Sequence, residues 1–579
     1  MKPDPIPAAA GDTRPIHATQ AAALALAGLL MLDCRPSQRP AADLIVAGGP
    51  IWTGDAGRPL AESVAILGER IVAVGLDRDV EVWRGPSTRV IQARGRLVLP
   101  GFNDAHVHFV SGGLQLESVG LKDAASREEF AQRIAAHARS LPAGEWVTGG
   151  DWDEQAWRPA SLPDASLVDE ELEGAGAPDV PVFVYRYDGH MALANGAAMR
   201  LAGVTERTRN VPGGEIGRDG RGRPTGIFKD AAMAYVEKAV PPLSRERRLR
   251  AIRKSLEHAA SLGVTSVQDM NPDPGDIALY AELLEKGDLT TRIYAAPYLL
   301  DWEDYAATGV RRAFGSAWLR IGALKGYADG SLGSATAWFF EPFTDNPASH
   351  GLLSEEMQPP DAMLKRMLGA DAAGLQLCIH AIGDQGISII LDQAGEVARL
   401  HGPADRRFRI EHAQHVAPKD FARFAALGVI ASVQPYHAID DGRWAEKRIG
   451  PERIKTTYAF RAFLDQGVRL ALGTDWNVAP LDPMRTLHAA VTRATLDGRN
   501  PGGWVPEQKI TLLEAVAAYT QGSAYAEFQE KEKGTIAPGM LADLVILSQD
   551  IFRVDPEMLP LTKVEMTIAG GRVVWPRSN

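Results

Sequence analysis

Short apolar runs separated by Gly, Pro and Asp turns fill both ends of the chain, whereas the middle alternates apolar runs with stretches of helical period. Asp43 to Val46, Ile51-Trp52, Ser63 to Leu67, Arg70 to Val74 and Arg89 to Gln92 read as strands of a small sheet. The carboxyl end has the same texture in Ala542 to Leu547, Lys563 to Ala569 and Arg572 to Trp575, with Gly570-Gly571 as a hairpin signal between the last two. Two strand-rich ends around a different middle predict one β domain built from both termini; two unrelated flaps are the alternative.

The middle holds eight strong apolar runs: Ala105 to Phe109, Val264 to Gln268, Arg292 to Ala296, Leu319 to Lys325, Leu375 to His380, Phe408 to His412, Val429 to Val433 and Val468 to Leu472. Helical segments lie between several of them, as in Arg245 to Leu262, where Leu249, Ile252, Leu256, Ala259 and Ala260 share a face. Strand–helix alternation predicts a parallel α/β architecture, and eight strands are what a closed (β/α)8 TIM-like barrel needs. The gap between the first run and the second is too long for one crossover. It contains a helix around Glu128 to Arg139, then Trp146 to Gly150, Val180 to Tyr187 and a Gly-rich hairpin-like stretch from Gly213 to Gly226. It reads as an insertion over the barrel mouth. The expected boundaries are a leader at 1–40, the first part of a β-sandwich domain at 41–98, the barrel at 99–534 with its insertion at about 115–240, and the second part of the sandwich at 535–579.

Composition changes this picture little. A chain of 579 residues, 45% hydrophobic and 23% charged, is a soluble globular protein with more than one core. A net charge of −11 argues against nucleic-acid binding. The two cysteines, Cys34 and Cys378, make neither a disulfide framework nor a Cys-x-x-Cys metal site. Ala21 to Leu32 is too short to span a bilayer comfortably, so no integral membrane domain is expected. It resembles the middle of an export signal, and Cys34 follows it as in a lipoprotein signal, although Asp33 stands where a small residue is usual. Export with a lipid on Cys34 and a disordered leader are both left open, and with them the compartment.

The candidate chemistry begins at Asn103-Asp104-Ala105-His106-Val107-His108. Two histidines one residue apart point the same way on a strand, and imidazole is a common ligand of zinc and related metals. Alone they would also pass for unrelated surface histidines. Yet Lys325, His380, His412 and Asp475 each fall late in, or just after, another apolar run. Barrel active sites lie at the carboxyl ends of the strands, so five elements aim metal-competent groups at one rim.

These stretches resemble the amidohydrolase superfamily, in its exoenzyme-like branch that includes N-substituted formamide deformylases. The similar motifs are Pro-Gly-Phe-Asn-Asp-Ala-His-Val-His (100–108), Asp-Gly-His-Met-Ala-Leu-Ala-Asn (188–195), Leu-Lys-Gly-Tyr-Ala-Asp-Gly-Ser-Leu-Gly-Ser (324–334), Ile-His-Ala-Ile-Gly-Asp (379–384), Arg-Ile-Glu-His-Ala-Gln (409–414) and Gly-Thr-Asp (473–475). The resemblance runs from about Asp43 to the end. It implies two divalent metal ions, most simply Zn2+, although manganese, iron or nickel suit the same donors. It places His106 and His108 on the more buried metal, His380 and His412 on the more exposed one, and a carbamate of Lys325 between them. Asp475 would ligate the buried metal and carry protons. An ordinary Lys325 paired with Asp329 would leave a mononuclear site. His190 is expected to reach the substrate carbonyl, His437 and Trp152 to line the pocket, and Asp104 to orient the first histidine as an outer acceptor. Where the similar motif often continues with arginine, this chain has Ala335.

The implied activity is hydrolysis of an amide or N-formyl carbon–nitrogen bond in a small molecule by metal-activated water. An ester, lactone, cyclic imide or ring-deamination substrate is the alternative, and a non-catalytic binding protein a more remote one. Oligomeric state is left open, a homodimer included.

Overall fold

The computed structural model describes residues 40–141 and 144–577, so the expected leader and Cys34 lie outside the described residues. The middle of the chain forms eight parallel strands: β1 (Phe102–Val107), β2 (Val264–Met270), β3 (Arg292–Ala296), β4, β5 (Gln376–Ala381), β6 (Arg409–His412), β7 (Ile430–Val433) and β8 (Leu470–Leu472). Strand β4 is two runs, Leu319–Ile321 and Ala323–Tyr327, divided at Gly322. Gly322 has φ 108°, a conformation that glycine adopts without a Cβ clash.

Strand β1 pairs with β2, β2 with β3, and β3 with the first run of β4. The second run of β4 pairs with β5, and pairing then continues through β6 and β7 to β8. Two single bridges, Tyr298 to Lys325 and Val107 to Trp476, join the two series at both ends, so the strands follow one another round a ring. The last contact is close: a Cβ at Gly473 would lie 2.6 Å from the His106 amide nitrogen. Glycine there lets the segment carrying Asp475 run against β1. All eight apolar runs predicted from the sequence fall on ring strands, with β1 beginning three residues earlier than expected.

The chain ends share a sheet. Val98–Pro100 pairs antiparallel with Leu544–Leu547, which pairs with Val564–Ala569. Gly570 and Gly571, φ 54° and 72°, turn the chain into Arg572–Trp575, as a two-residue hairpin with positive φ at both positions requires. A second sheet, in the order Arg70–Gly75, Ser63–Leu67, Leu44–Ala47, Arg89–Gln92, contributes Val46, Val64 and Ile66 to the same apolar cluster as Val98, Leu544 and Ile568. The first and last described strands thus bury one another's apolar faces.

The long gap after β1 folds as a unit with its own five-stranded sheet, Val147–Trp152, Val182–Arg186, Met191–Ala194, Gly214–Arg218 and Pro224–Asp230. Its core packs Phe130, Trp157, Val184 and Leu193 around Trp152. The helix Arg245–Ser261 that returns to β2 is capped by Ser244, whose hydroxyl accepts the Arg247 N–H, and buries the predicted apolar face. Among the described residues no helix is long and apolar enough to cross a membrane.

Candidate metal centre

His106, the last residue but one of β1, is fully buried; His108 lies just past the strand, where the chain turns into the helix Phe109–Gln115. Both present Nε2 to one atom. Asp475 Oδ1 lies 3.4 Å from His106 Nε2 and 3.3 Å from His108 Nε2. This oxygen is buried and has no hydrogen-bond partner. Donor atoms held tetrahedrally at about 2.0–2.1 Å from a zinc ion stand about 3.3 Å apart, so the spacing and the unbonded carboxylate oxygen fit a divalent cation. His106, His412 and Asp475 offer ligand atoms all within 4.8 Å of one another.

The remaining candidates converge on the same spot. The His412 ring is 4.8 Å from that of His106 and 4.6 Å from that of His380. Each imidazole is fixed by a bond at its other nitrogen: His106 Nδ1 to Glu411 (2.7 Å), His108 Nδ1 to the Met270 carbonyl (3.1 Å), His412 Nδ1 to Gln434 Oε1 (2.9 Å) and His380 Nε2 to the Gly330 carbonyl (3.2 Å). Such outer bonds select the tautomer that turns the free nitrogen inward. Lys325 is buried, and its Nζ lies 3.4 Å from His106 Nε2. Asp329 is otherwise engaged, accepting the backbone N–H groups of Trp338, Ile382 and Gly383, and among the described residues no carboxylate forms an ion pair with Lys325.

Backbone strain marks the same positions. His412 and Asp475 have φ of 72° and 61°, a left-handed conformation that costs non-glycine residues about 1–3 kcal/mol and clusters at functional sites. In a regular strand Glu411 and His412 would face opposite ways. The left-handed turn at His412 brings both into the ring interior.

Electrostatics suits cation binding. Burial pushes the His106 imidazole down to about 4, reinforced by Lys325. Burial and then neighbouring histidines hold His380 and His412 well below the ordinary histidine range. These rings are neutral, with lone pairs available, near pH 7. Burial would raise the Asp475 carboxyl, but His106, His108 and His412 hold it far below the usual range, so it stays anionic. Burial lowers the Lys325 ammonium against the pull of Glu411 and Asp475. A less basic amine is nearer the free-base form that attacks carbon dioxide.

The centre opens into a cavity of about 1110 Å³ whose lining includes His190, His437 and Tyr327. His190 comes from the insertion; its Nδ1 is 2.7 Å from Asp230 and its ring 5.2 Å from that of His380. Burial lowers its affinity for a proton, but the bond to Asp230 and the charges of Asp230, Asp188 and Asp329 together raise it above the ordinary value. His437 lies in the first turn of the helix Pro435–Asp441 and brings Nε2, buried and unbonded, to 3.8 Å from Asp475 Oδ2.

Two expectations are corrected. Trp152 does not line the cavity: its ring packs against Phe130 and Trp157 inside the insertion, and its Nε1 donates to the Val184 carbonyl. Asp104 does not touch an imidazole: it accepts the backbone N–H groups of His106 and Thr474 and the Tyr519 hydroxyl, bracing β1 against the segment before Asp475. The partner of the His106 ring is Glu411, which sequence reasoning left unassigned although it stands beside His412. The Asp-Gly-His and Asp-Gly-Ser-Leu-Gly-Ser stretches dock on each other. Asp188 accepts the hydroxyls of Ser331 (2.6 Å) and Ser334 (3.1 Å), together with Arg186 (2.8 Å). No motif spacing announces that contact, because the partners are 143 positions apart.

A model of the amidohydrolase family matches residues 89–575. The protein LONG AFTER FAR-RED 3 of Arabidopsis thaliana is 37% identical over 552 residues, 92% of either chain. The N-substituted formamide deformylase of Arthrobacter pascens is 28% identical over 522 residues, 88% of this chain and 94% of that one. An uncharacterized metal-dependent hydrolase of Pyrococcus horikoshii OT3 has a solved structure that aligns with a TM-score of 0.72 at 28% identity, over 89% of this chain and 99% of that one. A histidine and aspartate cluster set for a cation, in a fold shared over nearly the whole length with a metal-dependent hydrolase, agrees with the match of the family model: the chain belongs to the amidohydrolase family.

Proposed function

We propose that this protein hydrolyses an amide-type or N-formyl carbon–nitrogen bond of a small molecule on a centre of two divalent ions, with Zn2+ the first choice. The observation that carries this reading is Asp475 Oδ1, unbonded and buried between two imidazole nitrogens at 3.3 and 3.4 Å. His106, His108 and Asp475 hold the inner ion, His380 and His412 the outer one, and Lys325 as a carbamate the space between. The ring of strands is read as a (β/α)8 barrel of residues 99–534, with the insertion at about 115–240 over its mouth. The sheets of 41–98 and 535–579 are read as one β sandwich.

Divalent ions bound there supply Lewis acidity toward water and the scissile carbonyl. The chain's own groups do the rest. Asp475 accepts the proton of the attacking water and returns it to the leaving nitrogen, a role open to a carboxylate that stays ionised among histidines. His190, anchored by Asp230, meets the substrate carbonyl. His437 lines the side nearest Asp475. A cavity of about 1110 Å³ leaves room for a substantial group on the nitrogen. The formamide deformylase among the relatives points the same way.

Metal analysis of the purified protein, with turnover of a panel of N-formyl, N-acyl, ester and cyclic imide compounds, tests the proposal. Up to two divalent ions per chain and preference for N-formyl or N-acyl compounds are expected. His106→Ala is expected to lose both metal and activity. Asp475→Asn is expected to lower turnover by at least a hundredfold; full activity in that variant would remove its proton role. Preference for the esters or imides would replace the C–N assignment.

A further inference from the structure

The outer bonds of the four histidines are unequal. His108 and His380 meet backbone carbonyls, and His412 an amide oxygen, all neutral. Only on His106 does the outer nitrogen reach hydrogen-bond distance of a carboxylate, Glu411 Oε2 at 2.7 Å with both side chains fully buried; His380 Nε2 stands 3.6 Å from Asp329 Oδ1 and His412 Nδ1 3.8 Å from Asp475 Oδ2. Arg409, also fully buried, lies with Nε 2.7 Å from Glu411 Oε1 and donates a hydrogen bond from Nη2 to Glu411 Oε2 at 3.1 Å. Its remaining donors are held by the Ala105 carbonyl, Ser432 Oγ and Gln268 Oε1. Arg409 and Glu411 are two residues apart on β6 and point into the ring beneath the centre. A guanidinium fixed on several sides keeps the carboxylate charged and aimed at His106.

We infer that the Arg409–Glu411 pair makes the position held by His106, His108 and Asp475 the tight site for a divalent cation, so that the two positions of the centre fill in sequence, the inner one first. The inference rests on the two-ion reading above. A carboxylate on the outer nitrogen of a ligating imidazole raises its basicity and fixes its direction, whereas neutral oxygens do so less. The inner position also has Asp475 as an anionic donor, while the outer pair consists of two neutral imidazoles until Lys325 is carbamylated. Glu411 and Arg409 are thus positioning residues and touch no substrate.

Metal-stripped protein is titrated with Zn2+ and separately with Co2+ against a chromogenic chelator, without substrate. Two steps are expected, the first at least tenfold tighter than the second. Glu411→Gln is expected to weaken the first step by about 10–100-fold and to leave the second within about twofold. Because that variant strands a buried guanidinium, the double variant Arg409→Met/Glu411→Gln is measured beside it. It removes both charges and is expected to fold and to show the same weakened first step. A first step of parental affinity in either folded variant overturns the inference, as does equal weakening of both steps. A parent that binds no divalent ion would instead overturn the metal-centre reading itself.

Discussion

Burial sets the protonation of single histidines around this centre, and it does so without metal as well. His415 shows this away from the ligands. It is buried with Nδ1 bonded to Thr457 Oγ1 at 2.9 Å, and burial, helped by Arg453, pushes it down to about 3. In the unfolded chain it titrates near its ordinary value of 6.5. Above that value neither state holds the proton. Below it the unfolded state takes up a proton that the folded state refuses, so the residue's contribution to stability declines as pH falls from about 6.5 toward 3. Denaturant unfolding at pH 7 and pH 4.5 checks this. The parent is expected to lose more stability across that interval than His415→Gln does; equal losses would show that burial does not depress this imidazole. At the same scale, His106 and Asp475 were legible from residue type and motif, whereas Glu411 was not. Its role depends on a left-handed His412 that turns two neighbouring side chains to one side, and no side-chain identity encodes that turn.

The inserted unit is held to the loops of the strand ring by charge as well as by apolar packing. Arg186, fully buried at the end of Val182–Arg186, pairs with Glu154 and Asp188 at 2.8 Å each. Asp188 in turn holds Ser331 and Ser334, and its other oxygen accepts the His190 N–H. A Cβ at Gly333 would lie 2.4 Å from Arg186 Nη1, so the serine-bearing loop fits this guanidinium only with glycine there. Arg186→Leu leaves two carboxylates buried without a cation and is expected to destabilise the protein by about 3–5 kcal/mol. It also loosens the segment carrying His190, so turnover should fall even where the variant stays folded. Equilibrium unfolding together with kcat measures both; a change below about 1 kcal/mol would mean that the insertion is held by its apolar contacts alone. The sequence left the helix Ala165–Gly174 and the strand Met191–Ala194 of this segment unassigned, while its first helix, two strands and hairpin were readable. Their docking was not, because period says which face is apolar and not what that face meets.

At the scale of the whole molecule, the terminal sheets brace the strand ring. Asp543, just before Leu544–Leu547, makes a two-pronged pair with Arg292 of β3, at 2.7 and 3.0 Å, and accepts the Gly570 N–H at 2.8 Å. The guanidinium also stacks on Trp318, 4.1 Å from the ring centre. Asp543→Ala is expected to cost about 3–5 kcal/mol, since Arg292 is left buried and unpaired. Thermal unfolding is expected to remain a single transition at lower temperature if ring and terminal sheets unfold together; separation into two transitions would show that they are independent. Hydrophobic pattern determined much of this molecule by itself: eight strands with helices between them, strand-rich ends, an inserted unit, and six candidate ligands each within three residues of a strand end. Those properties are local, and the backbone's two periods write them into the order of residues. Tertiary structure alone decided that Val107 meets Trp476 to close the ring, that Asp475 Oδ1 stands unbonded between His106 and His108, that Trp152 belongs to a core and not to the cavity, and that Glu411 backs the first ligand. Each of these is a contact between residues far apart in sequence or a turn imposed by such contacts. Their energies arise only when the chain is folded, so no local pattern can carry them.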